Sequence, residues 1–311
     1  MPPQNISLTG TLFFPVTPFG GDGEFNAEAF RAHLERSLAH EPGGVFAACG
    51  TGEFHAIDAA EYRAIVHEAV AVTAGRVPVF AGAGGSIRSA RELARIARDE
   101  GADGLLIMPP YLVPGTGQGL ISYVGEIAQE GLPVIVYHRG LARLDETTAL
   151  ELSRMPGVLG IKDGVGDLEA MRRIVRTIAD DRAADAPPFL FFNGLPTAEV
   201  TQSAYRALGV ELYSSATFAF VPEIAVAFRR ALERGDTDAL EQMEREFFHP
   251  LTRLRDRKPG YAVAIVKAGV SLRGIAAGSV RAPLTDLTDE EQRELSALIA
   301  RGSDLAAELD A

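Results

Sequence analysis

One cysteine, Cys49, stands among 311 residues, so no intrachain disulfide framework can brace this fold. A single thiol also fits a reducing cytoplasm. No apolar stretch approaches the ~18 residues that a membrane span requires. The opening MPPQNISLTG has neither the basic segment nor the apolar segment of a secretory signal. Runs of lysine and arginine are missing, and the formal net charge is −12. A nucleic-acid partner or an anionic membrane surface is therefore disfavoured. The six histidines are scattered, with no zinc-type Cys/His spacing. What remains is an ordinary soluble composition, 47% hydrophobic and 23% charged.

Eight short apolar runs punctuate the chain, at 10–19, 43–50, 77–84, 102–110, 132–138, 158–164, 188–194 and 209–216. Most are continuous rather than alternating, as in parallel strands covered on both faces. Amphipathic segments lie between them, for example at 26–40, 58–75 and 89–101. Asn26, Asp58 and Ser89 are placed to cap these helices, and Gly75 and Gly101 to stop them. Eight strands alternating with helices predict an α/β fold, a (β/α)8 TIM barrel over residues 1–235. From 236 to 311 the pattern turns wholly helical, with segments at 237–257, 261–274 and 288–302. Without a linker-like boundary, this reads as a C-terminal helical extension packed on the barrel.

Active sites of such barrels lie at the C-terminal strand ends. Those ends carry Cys49-Gly50-Thr51-Gly52-Glu53, Pro109-Pro110-Tyr111, Tyr137-His138-Arg139, Lys162-Asp163-Gly164, Asn193-Gly194 and Ser214-Ser215. One lysine, a nearby tyrosine and small or hydroxyl residues, without a carboxylate cluster, suggest Schiff-base chemistry and no metal. The apolar VLGI before Lys162 would hold the amine dry and so favour its neutral, nucleophilic form. A plainer reading stands beside this one: Lys162 emerges into water or pairs with Asp163 or Asp167. Tyr137 alone reads as packing or a structural hydrogen bond, and CGTGE alone as a turn. His138 is either a ligand contact or a satisfied polar group. GVGDLEA imitates a dinucleotide-binding turn, but Glu169 occupies the third glycine position. GAGGS at 82–86 has the look of a phosphate loop without its lysine, and Cys49 reads as a buried, inert thiol.

Taken together, GTGE after strand two, a tyrosine ending strand five, GIKD ending strand six and the helical tail resemble the dihydrodipicolinate synthase/N-acetylneuraminate lyase family of Schiff-base barrels. The stretches FAACGTGEFHAI, GIKDGVGDLE, NGLPTAEV, ALGVELYSSATFAFVP, RKPGYAVAIVKAG and VRAPLTDLT are similar to its decarboxylating sugar-diacid dehydratases. The resemblance implies that Lys162 forms the imine and Tyr137 is the acid/base tyrosine. It implies that Gly50 and Thr51 bind the carboxylate beside the keto group. Asn193, Gly194, Ser214 and Ser215 are candidates for the substrate hydroxyls or the far carboxylate, and Arg139 and Arg143 for that carboxylate. It further implies no cofactor, a keto-deoxy sugar diacid as small-molecule partner, and a homotetramer built as a dimer of dimers. Departures from the family pattern are informative. Gly50-Thr51 replaces two hydroxyl residues, Leu112 stands where the synthases have a second tyrosine, and YHRG replaces the YNVPxR motif. These argue against dihydrodipicolinate synthesis. The alternatives are a Schiff-base aldolase on a related keto acid and a non-catalytic sugar-acid-binding barrel.

Overall fold

The computed structural model describes residues 6–110, 114–183 and 185–310. Tyr111 and Leu112 lie outside the described residues. Eight parallel strands follow one another around a closed barrel. They are β1 (Thr11–Phe13), β2 (Gly44–Ala47), β3 (Val79–Ala83), β4 (Gly104–Ile107), β5 (Val134–His138), β6 (Val158–Asp163), β7 (Leu190–Asn193) and β8 (Leu212–Ser215). The first and last strands close the ring in the register Leu12↔Ser214. Each apolar run of the sequence thus contains one strand, and most strands are shorter than their runs because the flanking residues leave the ladder as loops.

The outer ring consists of α1 (Ala27–Leu38), α2 (Ala59–Thr73), α3 (Ile87–Asp99), α4 (Gly117–Ala128), α5 (Glu146–Arg154), α6 (Leu168–Asp181), α7 (Glu199–Ala207) and α8 (Pro222–Arg234). Asn26 caps α1, and Asp58 caps α2 in a capping box with Glu61. The third cap is Ser86 rather than Ser89: its hydroxyl accepts the Ser89 N–H, which starts α3 early enough for Ile87 to pack on the core. Gly75 and Gly101 take φ of +73° and +87° just past their helices, where a Cβ would be penalised.

Period-two alternation divides every strand between two cores. Leu12, Phe46, Phe80, Leu106, Ile135, Phe192 and Leu212 fill the barrel. Their neighbours, such as Val45, Ala81, Leu105, Val136 and Ile161, pack outward against helices. Phe14 stacks on Phe46 at 4.6 Å, and Phe46 on Phe80 at 5.0 Å. Each buried ring contributes roughly 2–3 kcal/mol, and the stack gives the upper barrel an aromatic floor.

The remaining chain is helical: α9 (Thr237–Met243), a π-helical turn (Glu244–Phe248), α10 (His249–Arg255), α11 (Tyr261–Leu272) and α12 (Asp289–Asp310). Phe248 meets Phe228 of α8 edge-on at 5.3 Å. A Cβ on Gly302 of α12 would lie 2.7 Å from the Phe247 ring, so glycine lets that helix pack close. Among the described residues no helix is long and apolar enough to cross a membrane.

Candidate active site

A cavity of about 590 Å³ opens where the strands end, between the barrel and the tail. Lys162 rises from β6 to line it and is 4% exposed. Its Nζ sits 3.8 Å from the centre of the Phe14 ring, 4.6 Å from Tyr137 and 5.7 Å from Phe192. Burial pulls its pKa from 10.5 down to about 7, and the positive charge of Arg139 acts in the same direction. A large fraction of the amine is therefore unprotonated near neutral pH.

Neither aspartate considered as a partner reaches the lysine. Asp163 is the next residue along the strand, so it faces the helices. There its carboxylate accepts the Val165 N–H at 2.8 Å and the Tyr205 hydroxyl. Asp167 caps α6 through the Ala170 N–H. His138 also points away from the cavity. It is buried, its Nδ1 has no hydrogen-bond partner, and burial lowers its pKa, keeping the ring neutral. Cys49 lies within the barrel layer, and burial pushes its thiol up to about 12, an unreactive state at neutral pH.

Tyr137 ends β5 beside the lysine. Its hydroxyl donates to the Gly194 carbonyl at 3.1 Å and accepts from Arg139 Nη1 at 2.7 Å. Burial raises the phenol's pKa, and Arg139 opposes the rise by favouring the phenolate. Two glycines make this arrangement possible. A Cβ on Gly164 would sit 2.7 Å from the Tyr137 ring, and one on Gly194 would sit 2.3 Å from Lys162 Cε. The glycine after KD thus clears the seat of the tyrosine.

Gly50 and Thr51 line the cavity in the turn after β2, whose carbonyl at Gly52 accepts the Thr17 hydroxyl at 2.7 Å. Ser214, Gly194 and Arg139 line it too. Asn193 and Ser215 do not, which corrects their selection as substrate contacts. Both follow an inward residue and so face outward. Asn193 Nδ2 donates to Ala198 O, Thr201 Oγ1 and Gln202 Oε1, and its Oδ1 accepts the Leu195 N–H. The Ser215 hydroxyl donates to buried Glu199 and accepts the Phe218 N–H at 3.0 Å. These side chains brace the loops behind the site. Arg143 is exposed, bonds Gly140 O and is absent from the cavity wall.

Several lining residues escaped the sequence reading. Phe14 was within reach of it, since period two from Leu12 turns it inward. Arg255 was not: it arrives from α10, donates to Pro196 O at 2.7 Å and lines the cavity mouth. Likewise α11 supplies an aliphatic wall of Ala262, Val263, Ile265 and Val266. Among the described residues no group of three or more His, Cys, Asp or Glu is placed to hold a metal ion.

These features define a (β/α)8 barrel whose cavity, at the strand C-termini, is built around a buried lysine and a tyrosine. The chain belongs to the dihydrodipicolinate synthetase family, whose model matches residues 7–301. It is 50% identical over 301 residues to a protein named probable 5-dehydro-4-deoxyglucarate dehydratase 1 from Streptomyces coelicolor, covering 96% of this chain and 95% of that one. A protein named probable 5-dehydro-4-deoxyglucarate dehydratase from Ralstonia nicotianae is 46% identical, covering 96% of this chain and 94% of the other. Among solved structures, dihydrodipicolinate synthase from Bacillus clausii superposes with a TM-score of 0.85 at 25% identity, covering 94% of this chain and 97% of that one.

Proposed function

We infer that the protein is a decarboxylating hydro-lyase that converts 5-dehydro-4-deoxy-D-glucarate to 2,5-dioxopentanoate, water and CO2. The observation that carries the reading is near-full-length identity of about half to proteins named for that reaction, in a chain with a buried lysine lining the cavity.

Lys162 attacks the keto carbon and forms an imine, losing water. The protonated imine draws electrons, so a proton leaves the adjacent CH2. The resulting enamine expels the hydroxyl one carbon further on, and that hydroxyl departs as the second water. The conjugated iminium then takes the electron pair of the bond to the far carboxylate, which leaves as CO2. The remaining enol tautomerises to an aldehyde. Hydrolysis returns one water and frees Lys162, so the balance is one water and one CO2 per turnover. Tyr137, donating to Gly194 O and accepting from Arg139, is the proton carrier at imine formation.

Gly50 and Thr51 take the carboxylate beside the keto group, and Ser214 with the Gly194 loop takes the hydroxyls. Arg139 and Arg255 are the guanidinium groups on the cavity wall available to the far carboxylate. The same cavity is lined by the aliphatic side chains of α11. A carboxylate that loses its charge as CO2 is favoured against such a surface. A cytoplasmic location and a homotetramer belong to the same reading.

Incubation with 5-dehydro-4-deoxyglucarate separates the rivals. CO2 and the semialdehyde in equal amounts are expected. Pyruvate release would mean an aldolase, and no borohydride-trapped adduct on Lys162 would mean a binding barrel.

A further inference from the structure

A buried ion pair ties the turn after β2 to the C-terminal extension. Lys267 of α11 donates to Glu53 Oε1 at 2.6 Å, and the two side chains are 1% and 0% exposed. The other Glu53 oxygen accepts the Arg281 backbone N–H at 2.8 Å. Arg281 in turn donates to Ala56 O and Gly23 O, each at 2.6 Å, and pairs with Glu61. The Phe19 ring lies against both cations, 3.9 Å from Lys267 Nζ and 3.8 Å from Arg281 Cζ.

Stability alone is a poor reason for such a pair, because desolvating two charges offsets most of their attraction. Its location suggests another. Glu53 has φ of +56°, a left-handed conformation disfavoured for a residue with a side chain. Its N–H closes the turn onto Gly50 O at 3.2 Å, so its backbone sets the shape of the Gly50–Thr51 segment. At the other end, Lys267 follows Ile265 and Val266, which line the cavity. The pair therefore joins the turn that lines the cavity directly to the helix that walls it.

We propose that Glu53 and Lys267 are positioning residues that hold the Gly50–Thr51 turn against α11, so that the C-terminal extension sets how tightly the keto acid's carboxylate is bound. The inference rests on the reading of Gly50 and Thr51 as the carboxylate subsite. It explains why GTGE and the distant RKPGYAVAIVKAG and VRAPLTDLT stretches go together: Lys267 and Arg281, from the last two, converge on Glu53.

The test is the double variant Glu53→Gln/Lys267→Met, which replaces the charges by neutral groups of similar length. Pyruvate serves as the probe, since it carries only the keto group and its carboxylate. We expect the KM for the keto acid and the Ki of pyruvate to rise tenfold or more. The kcat should stay within threefold, Tm near wild type, and borohydride trapping at saturating pyruvate complete. A folded double variant with wild-type KM and Ki overturns the proposal. Glu53→Asp keeps the charge but withdraws the carboxylate by one methylene. It should raise KM in the same way if the double variant does not fold, and an unchanged KM there is equally fatal. Thr51→Val separates the two layers. If it leaves the Ki of pyruvate unchanged, the carboxylate reading itself fails. If it raises Ki while the pair variants do not, only the positioning role falls.

Discussion

At the scale of single residues, the site turns on a lysine without a carboxylate partner. In the proposed reaction neutral amine, not ammonium, attacks the keto group, and burial lowers the Lys162 pKa to about 7. The rate of imine trapping with pyruvate and borohydride should therefore rise about tenfold per unit below pH 7 and level off above it. Arg139→Gln should move that midpoint upward, because it removes a positive charge that disfavours the ammonium. A pH profile of trapping in both proteins checks this, and an unchanged midpoint in the variant would contradict it. The strand pattern put Lys162 and Tyr137 at strand ends, and only the family resemblance singled them out from a solvated charge and a packing ring. Asn193 and Ser215 were misjudged because adjacent strand-end residues were read together, although the period of two sends neighbours to opposite faces.

At the scale of elements, the strand ends are held from behind by a polar layer between barrel and helices. Glu199, in the first turn of α7, accepts the Ser215 hydroxyl with one oxygen while the other is unpartnered and buried. Burial raises its pKa from 4.5 to about 7, with the Ser215 bond opposing the rise. A carboxyl whose folded-state pKa exceeds its unfolded value stabilises the fold fully below the unfolded value, and that contribution is lost as pH rises through the folded one. Wild type should therefore lose stability between about pH 4.5 and 7 relative to Glu199→Gln. The variant should be close to wild type at pH 4.5 and more stable at pH 8, by about 3 kcal/mol at most. Urea unfolding of both proteins at the two pH values measures the difference; an equal gap at both would remove Glu199 as its source. Nothing local in NGLPTAEV marks this role, since it depends on β8 arriving beside α7.

At the scale of the whole molecule, the C-terminal helices line the candidate cavity and form part of the core. Phe247, Phe248, Leu251, Leu254, Val266 and Leu295 are buried among the barrel helices and one another. At about 2 kcal/mol each, their burial amounts to roughly 12 kcal/mol, comparable to the net stability of an entire domain. A chain ending at residue 235 should therefore fail to give a soluble, cooperatively unfolding barrel, and it should not trap pyruvate. Expression with circular dichroism and dye binding checks this; a monodisperse barrel with a sharp thermal transition would refute it. The repeat of apolar runs and amphipathic segments determined the barrel by itself, because alternation of strand and helix leaves few ways to bury both faces of eight strands. It also determined which strand end carries the lysine. Only the tertiary structure decided that Gly164 and Gly194 make room for Tyr137 and Lys162, that Arg255 and α11 line the cavity, and that Glu53 pairs with Lys267. Those are contacts between residues far apart in the chain, and their geometry exists only once the barrel has closed and the tail has docked.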